Sequence, residues 1–182
     1  MLFRTSILAV CLFACAGAGV AQNWPAPKDP AIKGADPYVV IPRAAVAPDQ
    51  RTTYSVIFDA TKMASDPTKI LLAVNGAGGV MNDLAVGKVP LGQQKFAIVF
   101  HGAALDGILD DEHYRQKYGI ANPNLPLLAE LKKRGAELYV CGQHLAAANI
   151  DPKILTPMVR VASDAYLVMI SYQNRGYAAM WF

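Results

Sequence analysis

The residues of this chain best suited to chemistry are one cysteine and two histidines near the ends of strand-like runs. The segment Ala136-Glu137-Leu138-Tyr139-Val140-Cys141-Gly142-Gln143-His144 reads as a short β-type run that ends at a thiol, then a glycine, then a helix-forming stretch. A thiol at a helix N-terminus meets unpaired backbone N–H groups and the positive end of the helix dipole. Both favour the thiolate, the form that attacks sulfur and carbon centres. His144 follows about one helical turn later and can pair with that anion or shuttle a proton. His101 ends the run Lys95–His101, at the carboxyl edge where α/β sheets bind ligands, and Cys141 shares that edge. Together the three suggest nucleophilic chemistry at sulfur, with imidazoles to steady the anion.

Each residue also has a plainer reading. Cys141 can be a small buried hydrophobe at a strand end, His144 a helix-surface residue, and His101 a turn residue. Cys-x-x-His is half of a metal site and needs two more ligands. Asp110-Asp111-Glu112-His113 contains ligand-type residues, but consecutive helical positions point in different directions, so a solvated helix start is the simpler account.

The other two cysteines, Cys11 and Cys15, lie in a segment patterned like an export signal. Arg4 supplies the positive end, Ile7 to Ala16 the apolar stretch, and Gly19-Val20-Ala21 a small-residue cleavage site. That stretch is shorter than the roughly 20 apolar residues of a membrane span. Cleavage after Ala21 removes 21 of 182 residues and leaves 161, with Cys141 as the lone cysteine of a periplasmic or secreted protein. A lone cysteine has no intramolecular partner for a structural disulfide. An alternative takes Leu12-Phe13-Ala14-Cys15 as a lipoprotein box with Cys15 lipidated, although Phe13 is bulky for it; no other membrane attachment is expected. Without Arg4 the chain has 16 basic and 14 acidic side chains, a balance that argues against a nucleic-acid partner. An apolar fraction of 53% lets one domain be stable through its core alone.

Three segments position these residues: a signal over 1–21, a Pro-rich arm over 22–50 and an α/β domain over 51–182. Six prolines between Pro25 and Pro48 predict an extended, irregular arm, whose apolar spots, Trp24 and Tyr38–Ile41, can dock on the body or on a neighbouring subunit. Thr53–Phe58 reads as a strand. Asp66-Pro67 predicts a helix start, and Ile70, Val74, Ala77, Met81 and Leu84 form its apolar stripe. The stripe runs unbroken through Gly76, Gly78 and Gly79, so close packing explains these glycines better than a phosphate-binding turn, whose G-x-G-x-x-G spacing is absent. Lys95–His101 is a second, buried strand, followed by a polar excursion over 103–123. Asn124 is expected to cap a helix ending at Gly135. After the Cys141 strand come a helix over 143–148, a helical turn capped by Asp151, and a strand at Val159–Val161. A helix capped by Ser163 runs through Asn174, and the strand Tyr177–Phe182 closes the chain. The alternation predicts an α/β fold: a single domain with a mainly parallel sheet of about five strands and helices on both faces.

Four segments then carry a resemblance: Ile98-Val99-Phe100-His101-Gly102, Asn122-Pro123-Asn124-Leu125, Ala136–Gln143 and Gln173-Asn174-Arg175-Gly176-Tyr177. In that order they resemble the DsrE/DsrF-like superfamily, including YchN-like and TusD-like proteins, over about residues 52–182. The resemblance implies a compact α/β domain that assembles into a homo-oligomer, a trimer or hexamer. It also implies a cysteine at the strand-to-helix junction, here Cys141, that carries sulfur as a persulfide between a donor and an acceptor thiol or protein, with no dissociable cofactor. Two features depart from the sulfur-relay members: Ala146-Ala147-Ala148-Asn149-Ile150 replaces a basic pair and glycine after the cysteine, and this chain is read as exported. The expected function is therefore sulfur carriage or transfer on Cys141, helped by His144 or His101. The alternatives are an oligomeric binding or scaffold protein of the same fold, and a redox or metal-responsive site.

Overall fold

The computed structural model describes residues 23–182. The segment read as an export signal, its cleavage point and the lipid-anchor alternative at Cys15 lie outside the described residues. The strands are Tyr54–Ala60 (β1), Gln94–Phe100 (β2), Glu137–Cys141 (β3), Arg160–Ala162 (β4) and Ala178–Trp181 (β5). They form one parallel sheet in the order β4-β3-β2-β1-β5. The helices are Leu72–Val86 (α1), Asp111–Tyr118 (α2), Leu125–Lys133 (α3), Gly142–Ala147 (α4) and Ala165–Asn174 (α5).

Alternation along the strands divides the core in two. Val56, Phe58, Phe96, Ile98, Phe100, Leu138 and Val140 face α1 and α3 in the larger core. Their neighbours Ile57, Ala97, Val99 and Cys141 face Ala165, Val168, Met169 and Tyr172 of α5 in a smaller one. Strands buried on both faces explain the near-continuous apolar runs in the sequence. β5 sits beside β1, and the last residue fastens to β1's end: the Phe182 amide donates to Asp59 O at 3.0 Å, and the Thr61 amide donates to Phe182 O at 3.0 Å.

The glycines of α1 serve close packing, and most of it is against the arm. A Cβ on Gly78 would lie 2.5 Å from the Ala35 Cβ, and one on Gly76 3.2 Å from the Phe182 ring. Beside them, the buried Asn82 side chain accepts the amides of Ala31 and Ile32 (2.9 and 2.8 Å) and donates to the carbonyls of Ile32 and Asp36 (both 3.1 Å). The arm docks on the body through Ala31, Ile32 and Ala35, while Tyr38 and Val39 are half-buried and Trp24, Val40 and Ile41 are exposed.

Three expected helix caps differ. Asp66 does not start α1; its carboxylate accepts the Thr68 amide at 2.8 Å in a local turn, and the helix begins at Leu72. Ile70, the first residue of the predicted stripe, therefore precedes the helix. Asn124 does not cap α3 with its side chain, because that side chain accepts the Leu71 amide at 2.8 Å, across to the start of α1. α5 is capped by Asp164, whose carboxylate accepts the Tyr166 amide at 2.9 Å; the preceding Ser163 instead uses its carbonyl to accept the Gln143 amide. For Asn124 a partner distant in sequence, and for Asp66 a competing turn, takes the polar group that a local pattern assigns to the helix; for α5 the cap falls to the next residue.

Candidate functional site

The carboxyl ends of β1, β2 and β3 converge on the α5 side of the sheet. In register, Asp59 pairs with Val99 and Val99 with Tyr139, so Asp59, His101 and Cys141 project to the same face on three adjacent strands. His101 follows β2 by one residue, and its Nε2 lies 2.6 Å from Asp59 Oδ1. The pair is largely enclosed, with side chains 19% and 12% exposed, and Tyr166 of α5 packs edge-on against the imidazole at 6.2 Å between ring centres. A carboxylate on one ring nitrogen fixes the imidazole's orientation and directs the other nitrogen elsewhere.

Cys141 closes β3 and is 5% exposed. Its sulfur accepts the Ala165 amide at 3.3 Å, and Asp164 Oδ1 lies 4.0 Å away. The backbone donor is thus the first residue of α5, although the sequence directed attention to the helix that follows the cysteine. A thiolate accepts such a bond more strongly than a thiol does. Immediately after Cys141 only glycine fits: a Cβ on Gly142 would lie 2.6 Å from the Ala162 carbonyl oxygen, so the turn from β3 into α4 passes hard against the end of β4.

His144 is on α4, with Nδ1 accepting the Gly102 amide at 3.3 Å. It thereby ties α4 to the residue after His101. The fold brings the three expected residues to one edge: Cys141 against α5, His101 on Asp59, and His144 on the backbone beside His101. Asp59 and Asp164 are the additions that sequence reasoning missed. Asp59 was signalled only by an acidic residue in the apolar run Val56-Ile57-Phe58-Asp59-Ala60, and Asp164 only by its place beside Ser163.

Beyond this edge, a polar network covers the amino end of β3. Tyr139 Oη lies 3.0 Å from Tyr172 Oη and donates to Glu137 at 2.8 Å, and Arg160 donates to Glu137 at 2.7 Å. Burial opposes ionisation of Glu137, but hydrogen bonds from Tyr139, Tyr172 and Arg160 outweigh it and hold the carboxyl below its ordinary range. Burial, then the bond with Tyr139, pushes the Tyr172 hydroxyl up, so it remains a neutral donor. No cluster of three or more His, Cys, Asp or Glu side chains that could hold a metal occurs among the described residues. Asp110 caps α2, accepting the His113 amide at 2.8 Å, and its Oδ1 lies 2.7 Å from His113 Nδ1.

A family model for the DsrE/DsrF-like family matches residues 53–182, which span all five strands and all five helices. The chain belongs to the DsrE/DsrF-like family. Among solved structures, this DsrE-like chain is similar to MTH1491 of Methanobacterium thermoautotrophicum, described as a protein of unknown function. The TM-score is 0.52 at 20% identity, covering 71% of this chain and 99% of that one. At that identity the likeness speaks for the fold. No curated protein matches the chain.

Proposed function

We propose that this DsrE-like protein carries sulfane sulfur as a persulfide on Cys141 and passes it to an acceptor thiol. The observation that supports this most directly is the sulfur's position at the carboxyl edge of the sheet, accepting the Ala165 amide at 3.3 Å beside the His101–Asp59 pair. In the forward step the Cys141 thiolate attacks the outer sulfur of a donor R–S–SH. The donor S–S bond breaks, R–S⁻ leaves with its electron pair, and a new S–S bond gives Cys141–S–SH. The step needs no external oxidant or reductant. Hand-over to an acceptor thiolate is the same displacement in reverse. His101 is the group at this edge able to take or return the proton, with Asp59 holding its ring; His144 steadies the adjoining turn through Gly102.

The protein is read as acting after export, on the strength of the signal pattern at residues 1–21, and as assembling with copies of itself. Exposed Tyr166, Leu167 and Ile170 on α5, together with Trp181 on the α5 face of β5, support self-assembly, because large apolar side chains grouped on one face mark interaction surfaces. The second reading, a binding or scaffold protein with no covalent chemistry, is favoured by a single observation, the 5% exposure of Cys141.

Intact mass of the purified protein before and after a persulfide donor, beside Cys141→Ser, separates the two. The carrier reading expects a reducible gain of one or more sulfur atoms that the variant lacks. A folded protein that gains none leaves Cys141 as a packing residue.

A further inference from the structure

Between α5 and the β3–β4 edge of the sheet runs a cleft of about 310 Å³ whose wall includes Tyr139, Ala162, Asp164, Ser171, Tyr172 and Arg175. This is at the lower end of ligand-pocket volumes, about 300–1,000 Å³. Cys141 does not itself line the cleft but touches its wall, since Ala162 is that residue's partner across β3 and β4 and Asp164 Oδ1 lies 4.0 Å from its sulfur.

The two ends differ in charge. At the cysteine end stands the Asp164 carboxylate. At the other end Arg175 folds back over the Tyr172 ring, with 3.8 Å from Cζ to the ring centre and its Nε donating to Ser171 O at 3.2 Å. The guanidinium is held in place, yet it takes part in none of the ion pairs formed among the described residues. A stacked arginine keeps donors free for a carboxylate. Along α5, Tyr172 is seven residues beyond Ala165, the amide that holds the sulfur, so the two ends are about 10 Å apart at 1.5 Å per residue.

We propose that this cleft is the donor-binding site and that it takes the persulfide, R–S–SH, of a peptidic thiol of about three residues, with a free carboxylate on Arg175 and its outer sulfur at the Cys141 end. Three extended residues span about 10 Å. A compact oxyanion such as thiosulfate, whose sulfane sulfur and oxygens share one central atom, is too short to touch both ends. Asp164 suits an ammonium group on the same molecule. The inference rests on the sulfur-carrier reading for what the bound thiol does, but binding itself is separable from transfer.

The test measures calorimetric binding of S-methylglutathione, which cannot transfer sulfur, to the whole protein, to Arg175→Gln and to the cleft-filling Ser171→Phe. In parallel, it measures the rate at which thiosulfate loads Cys141. The expected result is binding to the parent, weakened about tenfold by Arg175→Gln and abolished by Ser171→Phe. Absence of S-methylglutathione binding, or binding indifferent to Arg175→Gln, overturns the proposal. Failure of Cys141 to load from any donor, with S-methylglutathione still bound in an Arg175-dependent way, instead overturns the carrier reading and leaves the cleft as a peptide site.

Discussion

The 2.6 Å contact between His101 Nε2 and Asp59 makes this carboxylate the positioning residue of the edge, one step removed from the thiol. Asp59→Asn keeps the size but exchanges a charged acceptor for an amide, so the imidazole loses its preferred tautomer. If His101 moves protons for Cys141, iodoacetamide labelling of Cys141 as a function of pH should change shape, slowing by at least about tenfold near neutrality, while Cys141→Ser reports the background. A profile that overlays the parent's means that the pair only fastens β1 to β2. The sequence made Cys141 and His101 legible because each ends a recognisable strand-like run, and His144 because it lies one helical turn after Cys141. Asp59 was illegible because its role depends on lying one strand away from His101, in a register that no local pattern encodes. The same limit hid the Ala165 amide, which reaches Cys141 from 24 residues away.

At the scale of elements, the arm and α1 form a joint with a built-in electrostatic penalty. Burial, then the charge of Asp36, raises the Asp83 carboxyl to about 6 from an ordinary 3.8. A carboxyl raised on folding binds more protons in the folded chain than in the unfolded one between those values, so its ionisation removes stability as pH rises from about 4 to 6. Asp83→Asn should therefore raise the thermal midpoint at pH 7.5 and leave it nearly unchanged below pH 4; equal shifts at both values would exclude this cause. Most elements were legible from apolar spacing, including the helix that crosses Gly76, Gly78 and Gly79. The caps were not. Asn124 and Asp66 are residue types that favour helix N-termini, but one bonds across to Leu71 and the other closes its own turn, so tertiary and local competition overrode propensity.

At the scale of the molecule, α5 is apolar nearly all round, with one side on the sheet and the other carrying Tyr166 and Ile170 toward solvent beside Trp181, which is 68% exposed. If copies meet there, Ile170→Glu together with Trp181→Glu should lower the mass in sedimentation velocity to that of a single chain without unfolding it, whereas an unchanged mass puts the contact elsewhere. The pairing of β5 with β1 has a different consequence, one of timing. A chain that emerges from its N-terminus first makes β1 early, but β5, which completes the Asp59 end, appears only after the other four described strands. The amide that holds the Cys141 sulfur likewise arrives 24 residues after the cysteine itself. During synthesis the thiol is therefore exposed without its amide donor, and a chaperone or reductant acting in that interval would guard it better than one acting on the finished protein.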